Sequence, residues 1–221
     1  MLKKISFTTS DGVKIFGNFY KTDKADTPAV ILLHMMPATK DSWNNFAKKL
    51  NIAGFQCLAI DLRGHGESEG GPQGFQNFTD ESHQKSIYDV DGAIKFFIDK
   101  NVPLSNISLM GASIGANLSL QFQAENPEMK ASVLLSPGLN YRSIETEQMA
   151  KKLKKDQSIF LVAGGNNDEY STETVQKLSS IVSSENKEII IFKSAGHGTM
   201  IFKEDPAIID RIIDWLKNIY L

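Results

Sequence analysis

Ser113 stands between two glycines in Gly111-Ala112-Ser113-Ile114-Gly115, and no other residue of the chain is better set to act as a nucleophile. A serine hydroxyl attacks poorly at neutral pH and needs a positioned base to take its proton. Histidine, which titrates near neutrality, suits that work. The chain has 4 histidines. His197 lies in Ser194-Ala195-Gly196-His197-Gly198, beyond the last apolar run, where a glycine-flanked loop brings an imidazole over the edge of a sheet. His34 and His65 also end apolar runs, while His83 opens a helical stretch and reads as a solvated surface residue. The base in turn needs a carboxylate to orient its ring and balance its charge. Asp168 closes Gly164-Gly165-Asn166-Asn167-Asp168 after another apolar run; the adjacent Glu169 fits the same spacing, and Asp168 is preferred. These residue types point to acyl chemistry through a covalent intermediate.

The Gly-x-Ser-x-Gly pattern alone is a weak signal, because glycine and serine are common. Its setting is more telling. Residues 106–110 read as a strand and 116–124 as a helix, so the serine falls on a sharp strand-to-helix turn. Such a turn holds the serine in a strained conformation, and a Cβ at either flanking position would strike neighbouring backbone. The helix start also offers unpaired N–H groups, that of Ile114 among them, to the oxyanion of a tetrahedral intermediate.

The elements that must carry these residues follow from periodicity. Residues 3–8 and 13–20 flank Asp11-Gly12, a hairpin signature. Short apolar runs at 29–33, 55–60, 107–110, 131–135, 159–163 and 188–192 read as strands buried on both faces. Between them, Ile87, Val90, Ile94 and Phe97, and later Ile208, Ile209, Ile212, Ile213 and Leu216, recur at helical spacing. A hairpin followed by strand-helix units predicts a mainly parallel, eight-stranded α/β sheet with helices on both faces and function at the carboxyl ends of the strands. The 221 residues, 41% of them apolar, suit one domain.

Lys and Arg number 24 against 26 Asp and Glu. No like-charge block suggests a nucleic-acid partner, and the Lys151 to Lys155 cluster reads as a solvated helix face. Cys57 is the single cysteine and lies in an apolar run, where a thiol packs as a small hydrophobe. No export signal and no stretch of about 18 apolar residues is present, so a cytoplasmic protein with no membrane span is expected. The histidines lack ligand spacing and there is no Gly-x-Gly-x-x-Gly, so neither a metal nor a cofactor is expected.

Several motifs then match in order. Leu32-Leu33-His34-Met35-Met36-Pro37 follows the third strand, Asp61-Leu62-Arg63-Gly64-His65-Gly66-Glu67-Ser68 follows the fourth, and the serine turn, Asp168 and His197 come after them. With these motifs the chain resembles the α/β-hydrolase superfamily over nearly its full length. The resemblance implies a Ser113-His197-Asp168 triad and an oxyanion hole formed by the backbone N–H groups of Ile114 and Met36. Met35 stands where the superfamily usually has glycine. Met35 and His34 become candidates to line the substrate site, His34 chiefly by shaping its loop, and the glycine-rich loop around Gly70 to Gly74 reads as a mobile wall bearing Phe75 or Phe78. Residues 137–157 leave room for a short cap-like insertion of roughly one helix. An open site results, resembling compact carboxylesterases. The expected activity is hydrolysis of a small carboxylic ester of short to medium acyl chain. Amide or thioester hydrolysis and acyl transfer use the same triad, and a sensory or binding protein with little turnover is the rival from another class. Oligomeric state is not legible.

Overall fold

The structure is a computed structural model that describes residues 2–22 and 26–221. It opens with β1 (Leu2–Thr8) and β2 (Lys14–Tyr20), followed by β3 (Ala29–Leu33), α1 (Asn44–Ile52) and β4 (Gln56–Ile60). Then come α2 (Asp80–Gln84), α3 (Ile87–Ile98), β5 (Ile107–Ala112), α4 (Ile114–Glu125) and β6 (Ala131–Leu135). A small hairpin, β7 (Asn140–Tyr141) and β8 (Ile144–Glu145), leads into α5 (Thr146–Lys152). The chain ends with β9 (Ser158–Ala163), α6 (Glu169–Ile181), β10 (Lys187–Ile191), α7 (Ile201–Glu204) and α8 (Ala207–Tyr220).

The eight long strands form one sheet in the order β1-β2-β4-β3-β5-β6-β9-β10. β1, β2 and β4 pair antiparallel, and every pair from β4 to β10 is parallel. Gly12, at φ 88°, makes the turn between β1 and β2, a conformation that favours glycine. β3, β5, β6 and β9 are buried throughout, as their unbroken apolar runs require.

Alternation along the strands divides the core between two faces. Val30, Leu32, Met110 and Val133 point to α1 and α8, where Phe46, Leu50, Ile209, Ile212 and Leu216 meet them. Ile31, Leu33, Ile107 and Leu109 point the other way, onto Val90, Ile94 and Phe97 of α3 and Leu118 of α4. On that second face Leu134, Ile159 and Leu161 also pack against α5 and α6. The connection leaving β3 runs to β4 on one side, and β5 lies on the other. The loops after β3 and β5 therefore diverge at neighbouring strand ends, the usual ligand position of such sheets.

The structure corrects several expectations. The segment between β6 and β9 holds the β7–β8 hairpin as well as a helix, and α5 ends at Lys152, so Lys154 and Lys155 lie beyond it. His83 is buried, not solvated, because Phe78 stands edge-on to it at 5.4 Å and α2 is pressed inward. The glycine-rich loop is tied by backbone bonds from Gly64 to Glu69, Gly71 to Ser68 and Phe75 to Gly64, so it is a hydrogen-bonded turn and no loose wall. Among the described residues, no helix is long and apolar enough to cross a membrane.

Candidate active site

β5 delivers Ala112 to the sheet edge and α4 starts at Ile114, which leaves Ser113 alone to make the turn. Its backbone sits at φ 54° and ψ −120°, a strained conformation for a residue with a side chain. It is held there by the Ser113 N–H, which donates to the Leu135 carbonyl at 2.9 Å. Both flanking glycines are required. A Cβ on Gly111 would land on the Gly115 carbonyl, and one on Gly115 would land on the Leu33 carbonyl, each far inside contact distance. The half-buried serine thus heads a helix whose first N–H groups have no carbonyl one turn back to bond.

His197 follows β10, and its Nδ1 meets Asp168 Oδ1 at 2.7 Å. A carboxylate only accepts, so Nδ1 donates to Asp168, and Nε2 faces away from that bond. Glu169 is exposed, as the first residue of α6, and the structure thereby settles which of the two acids reaches the imidazole. Asp168 is 7% exposed. Its second oxygen accepts the Ser136 hydroxyl at 2.5 Å and the Gly164 N–H at 3.1 Å. Burial alone would push this carboxyl up, yet the bonds from His197, Ser136 and Gly164 outweigh it and hold the group below the usual carboxylate range. The two loops touch closely. Ala195 donates to the Gly164 carbonyl at 2.6 Å, and any Cβ on Gly164 would strike the Gly196 carbonyl.

Tyr141 joins these parts, and no sequence signal singled it out. Carried by β7 and admitted by Gly138, where a Cβ would press on its ring, it stands edge-on to His197 at 6.4 Å. Its phenol lies 3.2 Å from Ser171 Oγ and near the Ser113 side chain. Burial raises the phenol above its ordinary value, so it stays protonated at neutral pH. The short hairpin is anchored on two sides. Ser143 Oγ donates to Asp80 at 2.8 Å, and the Asn140 N–H donates to the Tyr170 hydroxyl at 2.9 Å.

The loop after β3 has its own support. His34 is fully buried; its Nε2 accepts the Leu62 N–H at 3.0 Å, which leaves Nδ1 to donate to the Met35 carbonyl at 2.9 Å. The Met35 carbonyl and the Met36 N–H share one peptide plane and point in opposite directions, so His34 fixes the direction of that N–H. It shapes the loop and does not line the site. Met35 packs toward the α1 and α8 face, near Gly198 and Ala112, whereas Met36 packs on the opposite face. Phe75 stacks flat on His65 at 4.2 Å, and Phe78 covers Gly64 and His83, so both are occupied by the neighbouring turn.

Beneath that turn, Asp61 accepts the Lys40 and Glu67 backbone N–H groups and pairs with Lys40 Nζ at 2.5 Å. Arg63 bridges Asp89 and Asp11 at 2.8 and 2.7 Å. The charged motif after β4 is therefore a brace for the site's rim. Cys57 is buried on β4, and burial raises its thiol pKa far from the reactive range. A cavity of about 710 Å³ lies by Gln56 and Asn106 at the amino ends of β4 and β5, and Ser113 does not line it.

With this geometry in place, comparison with known proteins decides the lineage. The family model for serine aminopeptidases of the S33 type matches residues 25–158, more than half of the chain. The chain belongs to this hydrolase family. The S33 match carries the serine turn, while Asp168 and His197 lie beyond it. An uncharacterized protein of Rickettsia prowazekii is 25% identical over 195 residues, covering 86% of this chain and 77% of the relative. A polyketide transferase of a Penicillium species is 28% identical over 137 residues, which span 60% of this chain and 44% of that protein. Among solved structures, an α/β-hydrolase of Penicillium superposes with a TM-score of 0.82 at 18% identity, covering 99% of this chain and 98% of that one. An esterase of Pyrococcus furiosus gives 0.76 at 20% identity, with 99% and 90% covered. The fold is that of the α/β-hydrolases, and the superfamily resemblance read from the sequence holds.

Proposed function

We propose that this S33-family hydrolase is a serine carboxylesterase acting on small esters of short to medium acyl chain, with these 221 residues forming one cytoplasmic domain. His197 takes the Ser113 proton, the alkoxide attacks the ester carbonyl, and the N–H groups of Ile114 and Met36 receive the oxyanion. The imidazolium then protonates the departing alcohol. Water, deprotonated by the same imidazole, releases the acid. Asp168 keeps the proton on Nδ1 and balances the imidazolium.

The observation that carries this reading is the 2.7 Å bond between His197 and a buried, ionised Asp168, at the same sheet edge as a serine held at φ 54°. The preference for short chains rests on the short segment between β6 and β9, which holds only the β7–β8 hairpin and α5 and is too small for a large enclosing cap.

The test is hydrolysis of p-nitrophenyl esters from acetate to palmitate by the native chain and by Ser113→Ala. Activity should be highest on the short esters and fall by roughly 10⁴- to 10⁶-fold in kcat in the variant. Equal turnover by both proteins would sink the assignment. Acyl transfer is a second reading, favoured by the relative named a polyketide transferase. It predicts that an added alcohol diverts product from acid to ester.

A further inference from the structure

Ser136 makes more polar contacts than a buried turn residue needs. It follows β6, is fully buried, and holds φ at 51°, the left-handed region in which glycine is favoured. Its N–H donates to the Val162 carbonyl at 2.8 Å, so the backbone is anchored without the side chain. The hydroxyl serves elsewhere. It lies 2.5 Å from Asp168 Oδ2 and 2.8 Å from the Gly198 nitrogen. A backbone N–H can only donate, so the serine accepts from Gly198 and gives its single proton to the carboxylate.

One atom thereby ties the loop after β9, which carries Asp168, to the loop after β10, in which Gly198 adjoins His197. The tie also sets the carboxylate. With Oδ2 held by the Ser136 hydroxyl and the Gly164 N–H, Asp168 presents Oδ1 to His197 Nδ1 at 2.7 Å. Glycine at this position would relieve the backbone and lose both side-chain bonds. The serine is suited to the site by its hydroxyl alone.

We infer that Ser136 is a positioning residue of the catalytic site, holding Asp168 in the rotamer that orients His197 and keeping the acid and base loops at one spacing. This inference rests on the reading of Ser113, His197 and Asp168 as nucleophile, base and orienting acid. The hydroxyl acts on His197 through the carboxylate, whereas the Ser113 backbone is held by a separate bond, its N–H donating to the carbonyl of Leu135.

Two variants separate the hydroxyl from the backbone. Ser136→Ala and Ser136→Gly both lack it, and only the second is at ease with φ at 51°. The readouts are the rate at which a fluorophosphonate labels Ser113, kcat and KM on p-nitrophenyl acetate, and the thermal unfolding midpoint. Both variants should label roughly 10- to 100-fold more slowly, as small misplacements of a catalytic group do. kcat should fall by the same factor with KM within about twofold, the mark of an interaction that matters in the transition state. Ser136→Gly should unfold no lower than Ser136→Ala. A folded Ser136→Gly that labels at the wild-type rate would overturn the inference while leaving the nucleophile assignment intact. Loss of the fold in both variants would make the role structural and overturn it equally. Failure of the wild type to label overturns the reading of Ser113 as nucleophile, and the role of Ser136 with it.

Discussion

Asp168 and Glu169 are neighbours with the same charge, yet only one of them faces His197. Asp168 is buried with three donors on its carboxylate, whereas Glu169 is exposed at the start of α6. Asp168→Asn should therefore lower kcat by roughly 10³- to 10⁴-fold, since an amide cannot hold the proton on Nδ1 and balance an imidazolium. Glu169→Gln should leave ester turnover unchanged. Comparable losses in both variants, measured on the same short ester, would refute the assignment. Tyr141 is the other residue with a sharp expectation. Tyr141→Phe keeps the ring against His197 and Tyr170 but removes the hydroxyl near Ser113. Loss of one polar group at a reacting centre should lower kcat by about 10- to 100-fold with little change in unfolding midpoint. A variant with native kcat would reduce the phenol to a packing group.

Glycines decide how closely the elements approach. α4 can start directly above β3 only because Gly115 has no side chain against the Leu33 carbonyl. Gly115→Ala must push helix from sheet, which should destabilise the protein by about 1–3 kcal/mol in urea unfolding. The Ile114 N–H moves with it, so kcat should fall as well. Gly164→Ala acts on a different pair, the acid and base loops, by displacing Gly196. Its expected signature is a loss of kcat of at least about tenfold with native far-UV circular dichroism. Unchanged kcat in Gly164→Ala would mean that the loops yield without disturbing the pair. The long helices are readable from the sequence because each repeats a period of 3.6 residues against a core, and the central strands because each is an unbroken apolar run. The β7–β8 hairpin is not, since strands of two residues contain no period, and the sequence there suggests a single helix.

At the scale of the molecule, three imidazoles lie inside the fold between the loop after β3, the brace after β4 and α2. Burial, then the charge of His65, lowers His34 from the ordinary 6.5 to about 4. Burial, then the charge of Arg142, lowers His83 to about 4, and burial also lowers His65. The fold refuses protons that the unfolded chain accepts near pH 6.5, so the stabilisation is whole above that value and is lost as pH falls toward about 4. A tenfold difference in proton affinity between the folded and unfolded chain is worth about 1.4 kcal/mol. Urea midpoints should accordingly drop from pH 6.5 to pH 4.5. His83→Leu, which removes an imidazole whose buried Nε2 has no partner among the described residues, should flatten that slope. A slope unchanged in His83→Leu would take the acid sensitivity away from His83 and assign it to His34, His65 or the carboxylates.

What the sequence determined by itself is what local pattern encodes: the order of strands and helices, the glycine-bounded turn at Ser113 and the placing of His197 beyond the last strand. Those features depend on neighbours in the chain, and periodicity or a conformational demand marks each of them. The tertiary structure decided which groups meet. Asp168 prevailed over Glu169, Ser136 and Tyr141 entered the site, His83 went inside, and Phe75 and Phe78 were taken up by His65, Gly64 and His83. The meetings of Asp168, Ser136 and Tyr141 with their partners turn on contacts between segments tens of residues apart, and burial and hydrogen-bond geometry across such distances arise only when the sheet is assembled.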